Sequence, residues 1–285
     1  RLTRMDDRAL ELPAAPPPLA AHAMRRDANT DHPVAGFFLD LLIAIAALLL
    51  LSVMCGVAWA MLVGVQVAMD SGSTFNADEL MQALRDPDAI LLIWMTLVST
   101  GGAALLVYIW RRRATTDEIT RSTQAILKPT TWGWILAAAT TTFLFSAAIT
   151  GVAQYLGMAP EPSNVAVIQA AFASQPLFLM VFAILIAPAY EELLFRRVLF
   201  GRLWAAGRPW LGLVLSSTAF ALMHEFPGAN GNSWQATIVL WLTYGFMGAV
   251  FAAVYWRTRT LWAAYAAHAL NNAVALAVMK LYGGG

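Results

Sequence analysis

Long apolar runs separated by short polar stretches dominate this 285-residue chain. Most of the runs reach the length of about 20 residues that an α-helix needs to cross the hydrocarbon core of a bilayer. They predict an all-α, polytopic transmembrane helix bundle of about seven spans, at 35–69, 90–110, 132–152, 175–204, 209–226, 236–256 and 260–281. A moderately amphipathic stretch at 161–176 is the alternative eighth segment, re-entrant or lying along the membrane.

Composition supports a protein embedded in a lipid bilayer. The chain is 59% hydrophobic and 12% charged, whereas soluble domains are about 45–50% apolar and about 25% charged. The net charge of +1 gives no argument for a nucleic-acid partner, so none is expected. Because there is a single cysteine, an intrachain disulfide is excluded.

The basic residues predict how the chain is oriented in the membrane. All the lysines and arginines except Arg85 and Lys280 fall in the N-terminal tail, in alternate loops or in the last part of the segment at 175–204, and these would share one side. Positively charged loops stay in the cytoplasm. We therefore expect a cytoplasmic N-terminus, a C-terminus on the opposite side and an odd number of spans.

The chain divides into three regions by composition. Residues 1–33 hold five of the 13 prolines and scattered charges, which predicts a disordered cytoplasmic tail. Residues 34–174 supply N-terminal transmembrane helices with no motif that indicates their role. Residues 175–285 carry every group that could do chemistry and are expected to form a catalytic transmembrane core.

Two adjacent acids, Glu191 and Glu192, lie in the apolar segment at 175–204. A charged side chain in a bilayer costs roughly 2.5–3.5 kcal/mol on insertion scales, so it is rarely without a role. Glu192 and Arg196 are spaced i, i+4 and predict a structural ion pair, which leaves Glu191, about 100° away on the helix, as the working carboxylate. The alternative is that both acids only neutralise Arg196 and Arg197.

Two further apolar segments carry histidines. Phe220 and His224 share a helix face, although a lone helical histidine is more often a packing residue than a catalyst. His268 and Asn272 also share a face, where they could make a structural hydrogen bond to a neighbouring helix. They could equally hold a developing oxyanion.

Together these groups resemble the three motifs of the CPBP family, the type II CAAX prenyl proteases and bacterial relatives linked to bacteriocin processing or immunity. The resemblance covers about 175–281. The motifs are Glu191-Glu192-x-x-x-Arg196, Phe220-x-x-x-His224 and His268-x-x-x-Asn272, in that order on successive apolar segments.

The resemblance implies a glutamate-dependent intramembrane endopeptidase that acts without a cofactor. Its substrate would be a membrane-associated protein or peptide, with a CAAX-type prenylated protein as one option, cleaved near the cytoplasmic face. By position, Glu191 would be the general base, His224 would help it to activate water, and His268 and Asn272 would stabilise the oxyanion. Glu192, Arg196 and Phe220 would have a structural role and support the site.

Two other functions compete with this one. Glu191, His224 and His268 could be the three protein ligands of a catalytic zinc ion, although the chain has no His-Glu-x-x-His helix. Alternatively, the protein could be a non-catalytic immunity or scaffolding protein or a transporter, because buried charges also mark ion pathways.

The predicted site has a geometric difficulty. In straight helices, Glu191 would lie about 24 Å from the outer end of its segment, whereas His224 would lie roughly 21 Å from the inner end of the next one. The two side chains would then sit near opposite faces. We therefore expect the helix that carries Glu191 to be displaced, tilted or broken at Pro188, with Arg196 and Arg197 inside the protein.

Overall fold

The computed structural model describes residues 32–70, 77–85, 87–228 and 231–282, and none of these residues is in a β-strand. The predicted all-α polytopic bundle is therefore confirmed, whereas the predicted disordered tail lies outside the described residues as far as residue 31. The helices are α1 (Pro33–Asp70), α2 (Ala77–Arg85), α3 (Ala89–Arg111), α4 (Thr116–Ile126), α5 (Pro129–Tyr155), α6 (Val165–Ser174), α7 (Pro176–Ala205), α8 (Pro209–His224), α9 (Trp234–Thr258) and α10 (Leu261–Tyr282).

Within the described ranges, six helices are long and apolar enough to cross a membrane: α1, α3, α5, α7, α9 and α10. The segment predicted at 209–226 is present as α8, but its 16 residues span only about 24 Å, less than the ~30 Å of a hydrocarbon core. The alternative segment at 161–176 forms the ten-residue α6. The number of crossings therefore stays a prediction.

Apolar side chains cover the outside of the bundle. On α1, for example, Leu42, Met61 and Leu62 are each more than 60% exposed. Such a surface would promote aggregation in water, whereas lipid solvates it readily. The bundle is thus built to keep its polar groups inside, the reverse of a soluble protein.

Helix α9 lies at the centre of the C-terminal half, where it packs against α8, α5 and α10. The approach to α8 is close because a Cβ atom at Gly248 would lie only 3.0 Å from the Cα atom of Ser217. Small residues allow such close contacts between membrane helices. Phe251, one turn further along α9, is completely buried among its neighbours.

Helix α7 is interrupted twice. Two π-helical segments, Phe182–Ile186 and Leu193–Phe200, flank a short α-helical segment, Ala187–Glu192, with Pro188 in its first turn. The predicted distortion at Pro188 is confirmed. The side chains of Arg196 and Arg197 are only 1% and 11% exposed, so both lie inside the protein as expected.

Ion pairs join α7 to the N-terminal half. Asp40 of α1 is fully buried and contacts Arg111 of α3 at 2.8 Å and Arg202 of α7 at 2.7 Å. Arg197 of α7 makes two hydrogen bonds to the carboxylate of Glu118 on α4, at 3.1 and 2.7 Å. These contacts connect α7 to α1, α3 and α4 on the C-terminal side of Glu191 and Glu192.

Candidate active site

Glu192 is completely buried and contacts two other predicted site residues. The Nδ1 atom of His268 donates a hydrogen bond to Oε1 of Glu192 at 2.9 Å. Oε2 of Glu192 lies 3.1 Å from Nε of Arg196, although the two are not aligned as a hydrogen bond, so their attraction is that of two charges. The predicted i, i+4 ion pair is therefore present.

Arg196 is held among aromatic rings. Its guanidinium carbon lies 4.5 Å from the ring centroid of Phe220 and 5.4 Å from that of Phe251, distances at which a cation and a ring attract each other. Its Nη2 atom donates a weak hydrogen bond to the carbonyl of Gly248 at 3.4 Å. The buried cation thus has an acid on one side and two rings on the other, which offsets part of its desolvation.

His224 is the last residue of α8, and its ring contacts two aromatic rings. It stacks on Tyr244, with centroids 4.5 Å apart, and lies tilted against Phe220, with centroids 4.2 Å apart. Nδ1 lies 2.9 Å from the carbonyl oxygen of Phe220. Since a carbonyl can only accept, Nδ1 carries the proton, and Nε2 of the neutral ring is an acceptor. That Nε2 lies 3.8 Å from Oε2 of Glu191.

His268 has a matching arrangement on α10. Its ring stacks on Phe251, with centroids 4.8 Å apart. Because Nδ1 donates to the carboxylate of Glu192, Nε2 of the neutral ring is again an acceptor. It also lies 3.8 Å from Oε2 of Glu191.

Three acceptor atoms therefore converge: Oε2 of Glu191 and Nε2 of each histidine. Among the described residues, this oxygen of Glu191 has no hydrogen-bond partner. The side chains of Glu191, His224 and His268 are 16%, 21% and 3% exposed, and Oε2 of Glu191 is buried, so the cluster is largely enclosed. Such a cluster can bind a molecule that donates several hydrogen bonds, such as water. A carboxylate oxygen beside two ring nitrogens is a group that can act as a general base on such a water.

Asn272 lies one turn after His268 on α10. Its Nδ2 atom donates a hydrogen bond to the carbonyl oxygen of Ala183 in α7, at 2.9 Å. The neighbouring Asn271 has a different partner, because its Oδ1 accepts a hydrogen bond from Thr142 of α5 at 3.0 Å. All seven predicted site residues are therefore at or next to one cluster, with Asn272 bound to the backbone of α7.

Sequence reasoning missed the contribution of α9. Tyr244 covers one face of His224, and Gly248 and Phe251 contact Arg196. None of these residues belongs to a motif that the sequence singled out. A tyrosine in an apolar helix is the one local signal that could have directed attention to Tyr244, and it is a weak one.

The distances from Glu191 to His224 and His268 are wider than those between the ligands of a bound zinc ion. No group of three metal-binding side chains is found among the described residues. Ligands of a tetrahedral zinc ion at about 2.0–2.2 Å lie roughly 3.3–3.6 Å apart. The two separations of 3.8 Å from Glu191 are slightly wider than that, so a metal would need the three side chains to close in.

The part of the chain that carries the whole cluster matches a known family. Residues 172–274 match the family model of the type II CAAX prenyl endopeptidases, Rce1-like. The matched segment contains all seven predicted site residues and nearly all of the predicted core at 175–285. The resemblance to the CPBP family is therefore confirmed over this part of the chain.

One curated relative is similar to about half of this chain. The "Putative membrane peptidase YdiL" of Bacillus subtilis (strain 168) is 30% identical over 131 residues, which is 45% of this chain and 49% of the relative. The similarity thus extends over about half the length of each protein. No solved structure matches the chain.

Proposed function

We propose that this chain, whose residues 172–274 match the type II CAAX prenyl endopeptidases, is an intramembrane endopeptidase that depends on Glu191. The observation that supports the proposal best is the convergence of Glu191 with two histidines. Oε2 of Glu191 lies 3.8 Å from Nε2 of both His224 and His268. That spacing lets a water molecule contact the carboxylate and a ring nitrogen together.

In the proposed reaction Glu191 is the general base. It takes a proton from a water molecule whose oxygen bonds to the carbonyl carbon of the scissile peptide. Nε2 of His224 accepts the second hydrogen of the same water and so orients it. The carbon–nitrogen bond then breaks as Glu191 passes its proton to the leaving nitrogen, which leaves one carboxyl group and one amino group.

The oxyanion of the tetrahedral intermediate requires a donor. His268 can supply one from Nε2 only when its ring is doubly protonated, because Nδ1–H already donates to Glu192. The positive charge of that ring would lie beside the carboxylate of Glu192. In a site with little water, such a donor contributes on the order of 3–4 kcal/mol to catalysis.

The proposed substrate is a protein or peptide associated with the membrane, because the site lies inside an apolar bundle. The side chains of Glu191 and His224 are only 16% and 21% exposed, so the substrate backbone must enter the bundle. With the predicted orientation, the cut falls towards the cytoplasmic face. A CAAX-type prenylated protein is the finer proposal, and it comes from the family description alone.

The test is a cleavage assay in liposomes, in which the wild type and Glu191→Gln are compared on CAAX-type and small membrane peptides. The glutamine keeps the shape of the side chain but cannot take a proton, so we expect a loss of about a thousandfold or more in kcat. A zinc chelator should leave the wild-type rate unchanged. Equal rates for the two proteins would contradict the proposal.

A metal-dependent endopeptidase is the second candidate, and one observation favours it. Both histidines engage Nδ1 with an acceptor and direct Nε2 at Glu191, as metal-binding histidines usually do. Stoichiometric zinc in the purified protein, lost together with activity in His224→Ala, would establish this candidate. Chelator-resistant cleavage by metal-free protein would exclude it.

A further inference from the structure

The carbonyl group of Ala183 has no donor available from the backbone of its own helix. In an α-helix it would accept from the N–H of residue 187, but the N–H of Ala187 donates to Phe182 instead. In the π-helical register that this bond sets, the donor for Ala183 would be residue 188. That residue is Pro188, which has no N–H.

The side chain of Asn272 occupies the place of that missing donor. Its Nδ2 atom lies 2.9 Å from the carbonyl oxygen of Ala183. An unpaired carbonyl in an apolar interior is costly, so this hydrogen bond stabilises the break in α7. Asn271, the next amide in the chain, contacts Thr142 of α5 instead and has no part in this contact.

Asn272 and His268 attach α10 to α7 at two points. His268 holds Glu192 at 2.9 Å, and Asn272 holds Ala183, nine residues earlier. Pro188 and Glu191 lie between these two points. The second attachment therefore controls how the short segment Ala187–Glu192 is rotated, and with it the distance of Glu191 from the two histidines.

We infer that Asn272 is a positioning residue: its amide replaces the backbone N–H that Pro188 lacks, and thereby fixes the segment that carries Glu191 against α10. This role differs from the oxyanion contact that the family resemblance implies for Asn272, because it acts through α7 rather than on the substrate. For catalysis, the inference rests on the proposed peptidase function.

A double-mutant cycle with Pro188→Ala tests the inference. Alanine at 188 supplies a backbone N–H that can reach Ala183, so the amide of Asn272 becomes dispensable. We expect Asn272→Ala to lower kcat by about tenfold with Pro188 present, because the segment that carries Glu191 is no longer held in position, and by about twofold or less in the Pro188→Ala background. Asn271→Ala is the matched control and should have the same effect in both backgrounds.

The thermal unfolding midpoint of each protein in detergent provides a readout that needs no activity. The same coupling is expected there, with a smaller drop for Asn272→Ala when residue 188 is alanine. If the wild type does not cleave, the proposed function fails while the unfolding midpoints still test the attachment. If Asn272→Ala does not fold, Asn272→Leu keeps the volume without the donor and replaces it in the cycle.

Two results would overturn the inference. Equal drops in the midpoint in both backgrounds would show that Asn272 does not compensate for Pro188. Coupled midpoints with an equal loss of kcat in both backgrounds would show that Asn272 acts on the substrate, as an oxyanion donor does, and not through α7.

Discussion

Glu191 and Glu192 are neighbours in the chain but differ in what surrounds their carboxylates. Glu192 has one oxygen bound by His268 and the other 3.1 Å from the buried guanidinium of Arg196, whereas the nearest charged or ring partners of Glu191 are the two histidines, at 3.8 Å. Adjacent residues on a helix point about 100° apart. These surroundings support the proposal that Glu192 is structural and that Glu191 is the reacting acid.

This difference predicts effects of unequal size on stability for the same substitution at the two positions. Glu192→Gln leaves Arg196 as an uncompensated buried charge and should lower the free energy of unfolding by about 3–5 kcal/mol. Glu191→Gln should change it by less than about 1 kcal/mol, because no strong contact is lost. Unfolding of both variants in one detergent would measure this. A larger loss for Glu191→Gln would reverse the assigned roles.

Tyr244 should matter through its ring rather than its hydroxyl. Its stacking on His224 at 4.5 Å keeps Nε2 directed at Glu191, so we expect Tyr244→Leu to lower kcat by about tenfold and Tyr244→Phe to retain activity. Phe246→Leu is the control, because Phe246, two residues after Tyr244 on α9, stacks on Phe145 of α5 and not on His224. Equal losses for Tyr244→Leu and Phe246→Leu would exclude a specific role for Tyr244.

At the scale of elements, α4 is attached to α7 by one ion pair that responds to pH. Burial raises the pKa of Glu118, but the hydrogen bonds from Arg197 and from the N–H of Thr115, with the charge of Arg197, outweigh this and bring the pKa below its usual 4.5. A carboxyl group with a lowered pKa stabilises the folded state above its unfolded pKa. That stabilisation is lost as the pH falls through the folded value.

We therefore expect the wild type to be more stable than Glu118→Gln at neutral pH and the two to converge below pH 4.5. Unfolding midpoints in detergent from about pH 7 to about pH 3 would measure the difference. Asp117→Asn, which removes the exposed neighbouring acid on α4, is the control and should follow the wild type. A constant difference at every pH would contradict the role of this ion pair.

The helices also show which structural features can be predicted from local sequence. Apolar runs predicted α1, α3, α5, α7, α9 and α10 because run length alone distinguishes a spanning helix. Pro188 correctly predicted a distortion of α7, since a missing N–H is a local property. The two π-helical segments were not predicted, because their register depends on contacts such as that between Asn272 and Ala183.

At the scale of the whole molecule, the predicted orientation depends on α8. Its 16 residues are short for a span, but the exposed arginines at 208, 257 and 259 flank α8 and α9 on one side. If α8 crosses, the C-terminus lies opposite the N-terminus. A reporter enzyme that is active only outside the cytoplasm should be active when fused after residue 285 and inactive when fused at Arg259.

The reverse result, an inactive reporter at the C-terminus and an active one at Arg259, also identifies the path of α8. Activity lost at the C-terminal fusion would mean that α8 enters the bundle without crossing it, so that both termini lie on the same side. The family match over 172–274 is independent of this result. The side of the membrane on which the proposed substrate is cut depends on it.

The sequence by itself determined the helical class, the positions of the apolar segments and seven of the residues that lie at or next to the site. It could do so because helix period, run length and the cost of a buried charge are properties of single segments. Only the tertiary structure decided that Glu191 meets His224 at 3.8 Å, that Tyr244 covers His224 and that Asn272 binds Ala183. These contacts join residues on different helices, and packing and helix breaks fix their distances.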